Sequence, residues 1–166
     1  HTFEASPGVP TRYNVTLRVS DSLAQTSIAT WTVSVNNTPP QVAIANPVNG
    51  SKYSMNGETI QELSAIVTDT ESPDELLHYE WRVYLHHNNH EHQDFTLTDH
   101  LTAVPIAPIG CDGLNIFYYR VELTVTDSAG LSTTTQASIF PDCGIPDTPP
   151  VISVIADQII PKNQNA

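Results

Sequence analysis

Charge is scarce in this sequence, and positive charge is scarcest. Only 14% of its 166 residues are charged, with 6 Lys and Arg against 18 Asp and Glu and a formal net charge of −12. So acidic a chain repels the phosphates of nucleic acids and of anionic membrane surfaces, which excludes both as partners. Long apolar runs are missing as well, so no membrane-spanning helix is expected. The 2 cysteines, at 111 and 143, are too few for a disulfide scaffold and too far apart for a Cys-x-x-Cys motif. No nucleophile elbow, paired-carboxylate signature, phosphate loop, zincin motif or EF-hand spacing occurs, and the expected protein is not an enzyme. The chain opens on His1 with no initiator Met and no basic region followed by an apolar stretch, which reads as a processed form or a piece of something longer.

What the chain has instead is hydroxyl groups and alternation. Ser and Thr number 32. With 2 lysines and a pair of cysteines fit for one bridge, they suggest an exported protein, extracellular or at the cell surface. Apolar residues recur with period two: Tyr13, Val15, Leu17 and Val19; Trp31, Val33 and Val35; Val42 and Ile44; Trp81, Val83 and Leu85; Tyr119, Val121, Leu123 and Val125. Such alternation predicts half-buried strands of antiparallel sheets. Turn clusters at 36–40, 47–51, 69–74 and 127–130 separate them.

An internal repeat sets the architecture. Tyr13-Asn-Val-Thr-Leu-Arg-Val-Ser-Asp-Ser22 aligns with Tyr119-Arg-Val-Glu-Leu-Thr-Val-Thr-Asp-Ser128 at an offset of 106 (119 − 13). Thr38-Pro39-Pro40 matches Thr148-Pro149-Pro150 at an offset of 110 (148 − 38). A unit of about 110 residues is the size of one immunoglobulin-like β-sandwich. The predicted fold is therefore all-β: the last strands of one module (1–38), a complete module (39–148) and the first strand of another (149–166).

His1-Thr2-Phe3, Pro7-Gly8 and Tyr13 to Asp21 resemble the end of a polycystic-kidney-disease (PKD) domain. The complete module is similar to bacterial immunoglobulin-like and cadherin-like repeats, which occur in tandem on secreted adhesin-type proteins. Its stretch Trp81-Arg-Val-Tyr-Leu-His-His-Asn-Asn-His-Glu-His92 resembles a His-rich motif in modules appended to secreted sugar dehydrogenases. The tail from Pro149 to Gln158 resembles the opening of an adhesin-type repeat. These resemblances imply spacers, adhesion units or accessory binding modules. The cadherin-like one implies Ca²⁺ at module ends, with Asp69, Glu71, Asp74 and Asp127 as candidate ligands. The alternative is that these carboxylates cap their own turns.

Two local features carry chemistry. If residues 119–127 and 131–140 form a hairpin turning near 128–130, Cys143 falls opposite a residue near 115, and Cys111 lies at the same end. A Cys111–Cys143 disulfide is expected, worth about 3–4 kcal/mol in the chain-entropy picture. Five of the 7 histidines lie between 86 and 100. A two-residue turn at Asn88-Asn89 would set His87 opposite His90 and Leu85 opposite His92. His87, His90 and His92 would then share one face, a candidate Zn²⁺ or Cu²⁺ site, with His86 and Glu91 on the other. The competing reading is a solvated polar loop. No cofactor is required by either.

Sequons stand at Asn14, Asn36 and Asn49, about as many as chance supplies, so glycosylation is allowed without being indicated. The incomplete first module exposes strand edges and apolar surface. The apolar tail, with Val151, Ile152, Val154, Ile155 and Ile159, has no module of its own. Together they predict self-association into a homopolymer, the tail of one copy serving as donor strand to the first module of the next. The competing function is a carbohydrate- or metal-binding adhesion module of a larger secreted protein, with Tyr84 and Tyr118 as the glycan platform.

Overall fold

Alternating β-branched and aromatic residues between Asn-, Asp-, Pro- and Gly-rich turns leave the backbone few alternatives to antiparallel ladders. The computed structural model describes residues 1–144. The tail expected to act as a donor strand lies outside them. Ten strands follow in order: β1 (Thr11–Ser20), β2 (Thr26–Val35), β3 (Gln41–Asn46), β4 (Lys52–Tyr53), β5 (Thr59–Thr68), β6 (His78–His87), β7 (His90–Leu97), β8 (Thr102–Ile106), β9 (Phe117–Thr126) and β10 (Ser132–Pro141). Among the described residues one 3-10 turn, Asp74–Leu76, interrupts these strands. The protein is all-β.

Residues 41–141 form a β-sandwich. One sheet runs β4-β10-β9-β6-β7 and the other β3-β5-β8. All neighbours are antiparallel except β4, which runs parallel to β10. The inward positions of both sheets meet in one core: Trp81, Val83, Tyr119, Val121, Leu123, Val125 and Ile139 from the larger sheet, Leu63, Val104 and Ile106 from the smaller. Burying side chains of this size contributes about 1.5–3 kcal/mol each, which makes this layer the main source of the module's stability. Trp81 is fully buried, and its indole N–H is satisfied by the carbonyl of Asp99 at 3.1 Å.

β1 and β2 make a separate two-stranded sheet. It repeats the construction of β9 and β10 down to the turn. Asp21 N donates to Gln25 O at 3.0 Å, as Asp127 N does to Leu131 O at 2.9 Å. Gln25 N and Leu131 N each return a 2.9 Å bond to Oδ1 of Asp21 and Asp127 respectively. Ala24 and Gly130 take the left-handed backbone at the same turn position, φ 62° and 89°. The 106-residue repeat is thus a repeat of geometry as well as of letters.

Candidate functional site

The histidine-rich tip follows the pairing that the sequence predicts. His87 pairs with His90, His86 with Glu91 and Leu85 with His92 across the β6–β7 turn. Asn88 takes φ 53°, which a two-residue hairpin turn demands and asparagine tolerates. His87, His90 and His92 lie side by side, with ring centroids 5.0 Å apart for His87 and His90 and 4.8 Å for His90 and His92. His87 also stacks on Phe117 of β9 at 4.6 Å, nearly parallel. Among the described residues, no three His, Cys, Asp or Glu side chains converge on a point where a metal ion could sit.

An exposed hairpin tip would ordinarily fray, yet this one is clamped. Asn88 N donates to Ile116 O at 2.9 Å, and Ile116 N donates back to Asn88 Oδ1 at 2.9 Å. Asn88 Nδ2 donates to Asn115 Oδ1 at 2.7 Å. The 112–116 loop that receives these bonds is itself fixed by Asp112, which accepts from Asn115 N at 2.8 Å, Asn115 Nδ2 at 2.6 Å and Leu114 N at 3.0 Å. Those bonds, led by the one from the Asn115 backbone, pull the Asp112 carboxyl down to about 2. Next to it, Cys111 is joined to Cys143 by a disulfide with Cα atoms 5.3 Å apart. The bridge was legible in the hairpin count. The clamp was not, because its partners come from a loop with no periodicity; the only signal was Asn and Asp beside Gly113.

The other face of the tip belongs to Arg120, which sequence reasoning did not single out. Its guanidinium grips Glu91 through two bonds, Nε to Oε1 at 2.9 Å and Nη2 to Oε2 at 2.7 Å, and donates to Glu122 at 2.8 Å. The Arg120 fork is the first cause of the lowered Glu91 pKa. The same guanidinium lies 4.1 Å over the Tyr84 ring, and His86 stacks on Tyr118 at 4.2 Å. One face of each tyrosine of the expected glycan platform is therefore already taken by a neighbour.

The acidic loops gather at the joint between the hairpin and the sandwich. Glu71 Oε2 accepts from Thr38 N at 3.1 Å and Thr38 Oγ1 at 2.8 Å. Asp127 Oδ2 accepts from Asn37 Nδ2 at 2.7 Å, and the Ser72 and Ser128 hydroxyls meet at 2.9 Å. Asp69 caps its own turn through Glu71 N and Ser72 N. Asp69 Oδ2 and Asn37 Oδ1 are buried without a partner. Asp74 stands apart, opening the 3-10 turn. Asp69, Glu71 and Asp127 thus bring carboxylate oxygens, ligands of the kind Ca²⁺ takes, to the joint, where Glu71 and Asp127 accept hydrogen bonds from the linker residues Thr38 and Asn37 and Asp69 caps its own turn. Of the sequon residues, Asn14 is on β1, Asn36 donates to Ser6 O at 2.9 Å, and Asn49 accepts from Ser138 N at 2.8 Å.

The β1–β2 sheet leaves large apolar side chains exposed among the described residues. Val15 pairs with Trp31 and Leu17 with Ala29, so one face carries Tyr13, Val15, Leu17, Trp31 and Val33. Leu17 and Val19 are 51% and 58% exposed, whereas their counterparts Leu123 and Val125 are 0% exposed. β9 has β6 on its free side and β10 has β4, but β1 and β2 have only each other among the described residues. Phe3 lies against the near end, its ring 5.2 Å from that of Tyr13. No family model matches the chain, and no curated protein is significantly similar to it.

Proposed function

We propose that this chain is a non-enzymatic extracellular structural subunit, a PKD-like and immunoglobulin-like tandem protein that assembles head to tail into a filament or surface array. The observation that carries this reading is the contrast between two copies of one hairpin. Tyr119, Val121, Leu123 and Val125 are buried under a second sheet. Leu17 and Val19, in the same places of the repeat, are more than half exposed. A face built to be covered, with two open edges, is an acceptor for complementary strands.

The occupant that the sequence offers is the tail of a second copy. Thr148-Pro149-Pro150 repeats the Thr38-Pro39-Pro40 that leads into β3, so Ile152 and Val154 stand where Val42 and Ile44 do. Val42 and Ile44 pack against the core. A β3-type strand laid on the β1–β2 face of the next copy supplies the apolar cover that the face lacks. Val151, Ile155 and Ile159 fall on the strand's other side. Donor and acceptor are different segments of the chain, so the contact is heterologous, and where the rotation between copies does not close a ring it propagates as a filament.

Sedimentation velocity and electron microscopy of the intact chain and of a chain ending at Asp147 test this. The intact chain is expected to form polymers, and both the truncation and Leu17→Glu are expected to leave monomers. A monomeric intact chain, or a truncated chain that still polymerises, would contradict the proposal.

A further inference from the structure

We propose that the β6–β7 tip is a binding site for a borderline divalent transition ion, Zn²⁺ or Cu²⁺, held by the imidazoles of His87, His90 and His92. The three are presented on one side of the hairpin by its register. An ion held at about 2.0–2.1 Å by tetrahedrally arranged imidazole nitrogens sets the ring centroids about 5 Å apart. The observed separations of 5.0 and 4.8 Å already meet that spacing. Those are two of the three pairs; what the rings lack is direction, since they pack edge to face at 73° and 87° and do not converge on one point as they stand. His90 and His92 are exposed on β7, and the imidazole χ2 torsion is soft, so turning their nitrogens toward a common point costs little.

Two further features suit a ligand site better than a solvated loop. His87 is held flat against Phe117, so one of the three ligands is positioned in advance. The turn between the ligands is locked by the bonds of Asn88 to Asn115 and Ile116, and the loop that makes them is anchored beside the disulfide. This fixes the backbone spacing of the three histidines before any ion arrives. Three imidazoles leave a fourth position for water or for a ligand from outside. His86 takes no part: it faces the other side, donating through Nε2 to Asn88 O at 2.7 Å and stacking on Tyr118.

Calorimetric titration of the whole chain with zinc chloride at neutral pH, with histidine side-chain NMR in parallel, tests the site. One ion per chain is expected, with shifts confined to His87, His90 and His92. Each single change, His90→Gln or His92→Gln, is expected to weaken binding at least about tenfold, the loss associated with disturbing a metal ligand's surroundings or more. His78→Gln and His100→Gln, away from the tip, are expected to leave it unchanged. Copper(II) is expected to bind more tightly through the same residues. Both exchanged histidines are exposed, and circular dichroism verifies that the variants fold. The proposal is overturned if no saturable binding occurs, or if a His87→Gln, His90→Gln, His92→Gln chain binds zinc as tightly as the native one.

Discussion

Ala24 and Gly130 build one turn from two different residues. An L-residue held in the left-handed region is strained by about 1–2 kcal/mol, and glycine is not. Ala24→Gly is therefore expected to slow amide exchange in the β1–β2 turn. Gly130→Ala should instead lower the stability of the sandwich by about 1–2 kcal/mol in urea denaturation. A Cβ at Gly130 would stand 2.9 Å from the Arg12 guanidinium carbon, but that is the far end of a flexible exposed side chain that can swing away, so the backbone strain sets the cost. At Asp112 the carboxyl is depressed to about 2 in the folded chain. A depressed carboxyl stabilises the fold above its unfolded pKa of about 3.9, and that contribution is lost as pH falls toward about 2. The backbone amides of Leu114 and Asn115 are thus expected to keep their native chemical shifts through about pH 4 and to lose them only as the pH falls toward about 2. Loss of those shifts already near about pH 4, where an ordinary aspartate titrates, would contradict the assigned role.

At the scale of elements, one substitution made at both repeats separates a finished sheet from an unfinished one. Leu123→Ala opens a cavity between two packed sheets and is expected to cost about 2–5 kcal/mol. Leu17→Ala, at the same place in β1, is expected to cost less than about 0.5 kcal/mol in dilute solution, as exposed positions do. Urea denaturation of the two variants reads the difference directly. Why the strands, the Asn88 turn, the β6–β7 register and the disulfide were legible follows from period. Once Asn88-Asn89 and 128–130 are taken as turns, a two-residue repeat fixes which side chains face one another, for eight pairs along β9–β10 and for four along β6–β7 before a bulge between Val83 and Tyr84 shifts the register. Arg120 was not legible because its partners are scattered: Glu122 lies on its own strand, Tyr84 on the neighbouring β6, and Glu91 on β7 beyond that, brought within reach by the order β7-β6-β9, which alternation alone does not specify. The 112–116 clamp was not legible because hydrogen bonds between irregular loops leave no pattern in the letters. The carboxylates of the joint were seen as a group, but their engagement with Asn37 and Thr38 depends on how the linker turns.

For the whole molecule, the acidic charge and the unfinished hairpin bear on the same problem. A net charge of −12 opposes association, while an exposed apolar face and, among the described residues, two strand edges without a partner favour it. The joint between hairpin and sandwich is fixed by Asn37, Thr38, Glu71 and Asp127, so an array built through it would be ordered rather than loosely strung. The central claim is that the β1–β2 face is a sandwich face whose cover comes from a second copy. Amide hydrogen exchange followed as a function of chain concentration measures this most directly. The account predicts that protection along β1 and β2 rises with concentration while β9 and β10 stay protected throughout, and that Leu17→Glu abolishes the rise. Protection of β1 and β2 that does not change with concentration would contradict it.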